Sequence, residues 1–236
     1  MNLSKEITIV VPCKNEGLVI RKTLELIDLL EDIKNVNVIV ADCSDDDLFT
    51  KKCILSPKKK NIKITLIEGG FPAQARNNGA KLVNTPYVLF LDADIFIKNL
   101  SLLNHMVSIM KKMDYHLSTT RIRTDDGHYN YIYKLYELIQ YLSKFSSPFT
   151  VGGFMLFNTK AFNLLNGFND MDRFAEDYHL SSKINPKKFY IDKHEVYTTS
   201  RRFKKKGLYY MIIMMVRCWL NRNNSQFFIN EHNYWK

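Results

Sequence analysis

The chain has 236 residues and a mass of 27.7 kDa, with 46% hydrophobic and 25% charged side chains. Those proportions exclude a disordered, collagen-like or fibrous protein, and the length accommodates one domain with a large core. The net charge of +10 is unevenly placed: residues 201–236 carry eight Lys and Arg against Glu231 alone, which leaves +3 for the first 200 residues. A near-neutral body with a cationic tail points to phosphate or an anionic membrane surface as partner, and no nucleic acid is expected. Cys13, Cys43, Cys53 and Cys218 form no CxxC spacing, which suits reduced thiols and a cytoplasmic setting. Met1 opens a polar stretch with no basic n-region or cleavage site, so no secretory signal is expected.

In chain order, Ile7-Thr8-Ile9-Val10-Val11-Pro12-Cys13 is a β-branched apolar run of the kind buried in a parallel sheet. Lys14-Asn15-Glu16-Gly17 breaks it, and Leu18, Ile20, Leu24, Ile27, Leu30 and Ile33 then recur at helical spacing. Strands are predicted at 36–41 and 62–67, a helix at 72–83, and a strand at 87–91 that runs into Asp92-Ala93-Asp94. This alternation predicts an α/β fold: a Rossmann-like, mostly parallel, doubly wound mixed sheet flanked by helices, with its strand carboxyl ends along one edge. Further on, helices are predicted at 100–113, 129–145, 159–165 and 176–184. Strands are predicted at 149–157, 189–192 and 195–199. Residues 1–203 are assigned to the domain and 204–236 to a basic, apolar helical extension. Its stretch 208–220 has 13 residues and includes Arg217, too short for a span of about 20 apolar residues. Two placements stay open for it, a membrane interface or a face packed on the core.

Asp42, Asp92 and Asp94 each follow an apolar strand at its carboxyl end. Acids converging on one sheet edge repel unless a cation neutralises them, and oxygen ligands select hard ions such as Mg²⁺ or Mn²⁺. Alone, an Asp-x-Asp pair is more often a loop than a site. The wider set of segments resembles the nucleotide-sugar glycosyltransferases of family 2, which have the GT-A fold. The resembling segments are 9–16 with its Pro12-Cys13-Lys14-Asn15-Glu16 turn, 38–46 around Asp42, Ala75-Arg76-Asn77-Asn78-Gly79, Leu91-Asp92-Ala93-Asp94, Gly152-Gly153 through Gly167-Phe168-Asn169, and Glu176-Asp177. Their order covers about residues 7–203.

The resemblance implies metal-dependent, inverting transfer of a sugar from a UDP- or GDP-sugar donor to an acceptor hydroxyl. It places Pro12, Asn15, Glu16, Asp42, Arg76, Asp92, Arg201 and Arg202 around the donor. Asp94 would hold the metal with Asp92, and His194 would add a further metal or phosphate contact. Asp177 is expected as the general base that takes the acceptor proton, with Glu176 as its alternate. His179 is expected on the surface. The tail implies an acceptor at a membrane, a lipid-linked or cell-surface glycan, with the protein peripheral on the cytoplasmic face. Two departures stand out: Ala41 replaces the first acid of the family's Asp-Asp pair, and Cys43 stands where a small residue is common. No Gln-x-x-Arg-Trp segment is present, which argues against a processive synthase. The rivals are a sugar-phosphate nucleotidyltransferase, whose glycine- and arginine-rich loop is missing at 12–16, and a non-catalytic module binding anionic membrane or nucleic acid through its tail.

Overall fold

A computed structural model describes residues 2–46, 48–55, 61–150, 152–230 and 232. Strands β1 (Ile7–Cys13), β2 (Asn37–Asp42), β3 (Lys63–Glu68) and β4 (Tyr87–Leu91) follow the predicted alternation. Helices α1 (Gly17–Asp28), α2 (Phe49–Ile54), α3 (Pro72–Ala80) and α4 (Leu102–Met113) connect and flank them. Then come β5 (Leu117–Thr124), α5 (Asn130–Ser143), β6 (Phe154–Asn158), α6 (Thr159–Leu164), α7 (Glu176–Ser181) and β7 (Phe189–Thr198). The chain closes with α8 (Arg201–Lys206), α9 (Leu208–Leu220) and α10 (Ser225–Ile229).

Seven strands form one sheet in the order β3-β2-β1-β4-β6-β5-β7. β1 pairs in parallel with β2 and β4, and β2 with β3. β6 runs antiparallel to both its neighbours, with Leu91 of β4 opposite Phe154, while β5 and β7 are parallel. Every residue of β4, and all of β1 but Pro12, is buried, as continuous apolar runs covered on both faces must be. On one face Ile9, Val11, Leu89 and Leu91 pack under α1 and α4 through Ile20, Leu24, Leu103 and Met106. On the other, Val10, Val88 and Phe90 meet Ala73 of α3, Phe162 of α6 and Leu180 of α7. Gly79 lets α3 lie close: a Cβ there would collide with Cγ1 of Val10. Fully burying one such Leu, Val or Phe contributes about 1.5–3 kcal/mol.

Several expectations are corrected. β5 and α2 were not predicted. The strand predicted at 149–157 begins only at Phe154, after a turn through Gly153 at φ +67°. The helices predicted at 72–83 and 176–184 end at Ala80 and Ser181. The strands predicted at 189–192 and 195–199 are one strand, β7, with a bulge: Thr119 and Arg121 of β5 oppose Ile191 and Glu195. Arg201-Arg202-Phe203 opens α8. In the C-terminal segment, Met214 and Cys218 of α9 and Phe227 and Phe228 of α10 are buried with Phe149, Phe174 and Tyr178. Among the described residues, no helix is long and apolar enough to cross a membrane.

Candidate active site

The carboxyl ends of β1, β2 and β4 meet at one edge of the sheet, and the polar groups there are joined pairwise. At the β1–β2 end, Asp42 accepts hydrogen bonds from the Ser44 amide (3.1 Å) and hydroxyl (2.5 Å). Asn15 lies in the left-handed region (φ +55°), which its short side chain tolerates. Its amide donates to Ser44 Oγ at 2.7 Å and its carboxamide is bonded to Asp45. Pro12, half-buried, sits opposite Ala41 in the β1–β2 ladder. Cys43 takes a place in this turn, with its thiol donating to the Gly70 carbonyl at 3.2 Å. All four cysteines are free thiols.

Arg76 on α3, 3% exposed, is the hub on the other side. Its Nη2 donates to Asp92 Oδ1 at 2.6 Å, and its Nη1 donates to Glu176 Oε1. Burial alone would depress Arg76, but Asp92 and Glu176 outweigh it and hold the guanidinium above its ordinary pKa. The second oxygen of Asp92 accepts from the Gly153 amide at 3.0 Å, and Oδ2 of Asp177 accepts from the Gly152 amide. Gly152 lies between these two carboxylates. A Cβ there would come 3.1 Å from Asp177 Oδ2 and 3.4 Å from Asp92 Oδ2. Asp177 also accepts from the Tyr178 amide at 2.8 Å. Burial, and then the neighbouring Glu176, push the Asp177 carboxyl up to about 6, with Arg76 pulling the other way.

Asp94 faces the end of β7. Its Oδ2 accepts from the Thr199 hydroxyl at 3.0 Å and from Arg201 Nη2 at 3.3 Å. The same Nη2 lies 2.7 Å from Glu16 Oε2, so one guanidinium neutralises acids from two strand ends. Burial raises the Glu16 carboxyl above its ordinary value, against the pull of Arg201. Asp94 stays about a quarter exposed (26%). A partly exposed carboxylate beside a hydroxyl offers oxygen donors of the kind a hard divalent ion takes, and Arg201, which now neutralises that carboxylate, would have to give way to one. Thr199 is a member of this set that sequence reasoning missed, because a threonine after a strand carries no signal of its own.

Two expected site residues lie elsewhere. His194 belongs to the β7 bulge, where its Nδ1 is 2.5 Å from Asp192 Oδ1 and its ring packs edge-on against His105 of α4. His105 Nε2 is 2.8 Å from the other Asp192 oxygen. These three groups lie within 4.8 Å of one another, so they are a second place able to hold a divalent ion, apart from Asp92 and Asp94. Arg202 is exposed on α8, and its charge acts on Tyr136 of α5. His179, expected on the surface, is buried: its Nδ1 is 2.6 Å from Asp172 Oδ2 and its ring stacks on Phe228 at 4.6 Å. The partner that covers it comes from α10, about fifty residues later, which no local pattern reveals.

A family model described as glycosyl transferase family 2 matches residues 8–165. Among solved structures, S. aureus TarS 1-349 in complex with UDP-GlcNAc is 20% identical with a TM-score of 0.63, covering 82% of this chain and 58% of that one. The mannosyltransferase PcManGT from Pyrobaculum calidifontis, in complex with GDP-Man and Mn²⁺, is 18% identical with a TM-score of 0.67, covering 90% and 64%. Glucosyl-3-phosphoglycerate synthase from Mycobacterium tuberculosis, with UDP, its glucosylated product and Mn²⁺, is 16% identical with a TM-score of 0.61, covering 94% and 81%. At these identities the likeness is one of fold, and the chain spans from about a third to three fifths of the TarS chains it matches. No curated protein sequence matches the chain.

Proposed function

The chain belongs to glycosyl transferase family 2, and on that premise we propose that it transfers a sugar from a nucleotide-diphosphate donor to an acceptor hydroxyl, with inversion at the anomeric carbon. The observation that carries this reading is the joining of two acid groups at one sheet edge. Asp92 and Glu176 are held by the single buried Arg76, and Asp177 is set beside them by the Gly152 amide. In this assignment Asp42, Asn15, Glu16 and Pro12 line the nucleoside end of the donor. Asp92 addresses the ribose or sugar, and Arg201 faces its diphosphate. A planar guanidinium matches phosphate oxygens in pairs.

Asp94, Asp92 and Thr199 would hold Mg²⁺ or Mn²⁺, whose chemistry when bound is to stabilise the negative charge of the departing diphosphate. Asp177 is the general base. Its carboxylate is fixed by two backbone amides, and its raised pKa brings its proton affinity close to neutrality, where a base is most effective. Glu176, bound to Arg76, positions that guanidinium and supports its neighbour. UDP or GDP as the donor nucleotide is supported by the ligands of the structural neighbours PcManGT and TarS. A lipid-linked or cell-surface glycan as acceptor, met by a protein peripheral on the cytoplasmic face of a membrane, is supported by the cationic C-terminal segment.

Thermal unfolding with nucleoside diphosphates and nucleotide sugars, each with Mn²⁺ or with EDTA, tests the donor site. One nucleotide is expected to raise Tm with Mn²⁺ and not with EDTA, because a ligand bound only to the folded state stabilises it as the logarithm of its saturation. Asp94→Ala should abolish that shift while leaving the unliganded Tm close to that of the native chain. No shift with any nucleotide would overturn the assignment.

A further inference from the structure

We infer that the outer faces of α5 and α9 form a docking surface for an anionic lipid bilayer. The inference rests on the membrane-borne acceptor proposed above and says which part of the protein reaches it. Tyr131, Leu135, Leu138, Leu142 and Phe145 recur at steps of four, three, four and three residues, so they lie in one stripe along α5 and its C-terminal turn. All five are exposed, Phe145 at 80%. On α9, Tyr209, Val216 and Leu220 make a second exposed stripe with Trp219 beside it, and Tyr209 is 79% exposed.

The opposite sides of both helices are committed to the protein. Ile132 and Tyr136 of α5 share a buried cluster with Phe203 of α8 and with Met211 and Met215 of α9. The two helices thus share one buried cluster, and their remaining apolar side chains are left to solvent. An exposed apolar surface on this scale marks a contact with something other than water. Aromatic and leucine side chains on helices flanked by Lys and Arg are the composition of an interfacial helix.

Charge selects the occupant. Residues 201–230 hold seven Lys and Arg and no acid. Residues 129–149 add Lys134 and Lys144 against Glu137, which is already held between Arg121 (2.6 Å) and Arg123 (2.7 Å). A second copy of this chain in a two-fold contact would bring like-charged rims together with no acid to pair them. An anionic leaflet supplies the missing charge.

Co-sedimentation of the full chain with vesicles of phosphatidylcholine, alone or mixed with phosphatidylglycerol, tests this surface. Binding is expected on the mixed vesicles and should weaken as salt rises. Replacing Leu138, Leu142 and Phe145 together by Ser should lower the partition at least about tenfold, since each loses most of its transferable apolar area. Lys205→Ala should lower it about fivefold on the mixed vesicles only. In a Trp235→Phe background, Trp219 emission should shift to the blue on vesicle addition. The nucleotide shift with Mn²⁺ is measured in every variant. In the variants its persistence beside lost vesicle binding is the expected result. In the unsubstituted chain a nucleotide shift without vesicle binding would remove the docking surface and leave the glycosyltransfer reading intact, and the reverse pattern would do the opposite. Equal binding to neutral and mixed vesicles would overturn the inference, as would a concentration-dependent dimer that the triple Ser variant dissolves.

Discussion

At the residue scale, the acid groups at the sheet edge were legible in the sequence, but the ties among them were not. Asp92, Asp94 and Glu176-Asp177 announce themselves by following strands or opening a helix. Arg201 reaching Glu16 across 185 positions, and Thr199 reaching Asp94 across 105, leave no local trace. The tie at Arg76 has a measurable worth. Removing a buried cation leaves Asp92 and Glu176 facing one another unpaired, so Arg76→Met should cost about 3–5 kcal/mol in urea unfolding. As the proposed general base, Asp177 is expected to carry the pH dependence. A carboxyl raised to about 6 is mostly protonated below that pH, so kcat/KM should rise through about pH 6 and level off above it. Asp177→Asn should abolish that limb and lower the rate by about 10²–10⁴. A raised carboxyl pKa also contributes stability that is lost as pH rises through about 6. The Asn variant should therefore melt no lower than the native chain at pH 8, as differential scanning calorimetry can show.

At the scale of elements, strands that are buried on both faces could be read almost to the residue, because burial demands an unbroken apolar run. β1 and β4 begin and end where the sequence predicts. β5 could not be read, since Ser118, Thr119, Thr120 and Arg123 are buried in a strand whose composition looks like a surface. Two of these are satisfied at a distance: Thr119 donates to the Phe154 carbonyl at 2.8 Å, and Arg123 is 2.7 Å from Glu137 and 3.0 Å from Glu195, whereas the Ser118 and Thr120 hydroxyls are buried with no hydrogen-bond partner among the described residues. Those bonds join β5 to β6, α5 and β7, so their loss should be felt there and not at the donor end. Arg123→Ala is expected to cost about 2–3 kcal/mol of stability while leaving the nucleotide-dependent Tm shift unchanged. The bulge in β7 was equally hidden. It appears in the sequence only as a change of pattern near Asp192-Lys193-His194, which suggested two strands.

At the scale of the whole molecule, the doubly wound sheet was legible from the alternation of strand and helix, whereas the role of the last thirty residues was open between core and membrane. The structure gives α9 both kinds of face, Met214 and Cys218 inward and Tyr209 and Trp219 outward. Phe228 packs over His179 and Tyr178, the residues that follow the acid pair. Ending the chain after Lys206 would uncover that cluster, so a truncated protein should lose transfer activity and expose apolar surface, detectable as increased dye binding. One further consequence follows from the single reversed strand, β6. Parallel strands bring their last carbonyls to the functional edge, so they present more negative potential to the acids already gathered there. A strand entering the sheet from that edge brings its first amides instead. The reversal lets Gly152 and Gly153 meet Asp177 and Asp92 with N–H groups, and two carboxylates are oriented without a further cation. The direction of one strand thus sets the polarity of the rim and adds no fixed positive charge there, as the proposed binding of a metal ion and a diphosphate would require.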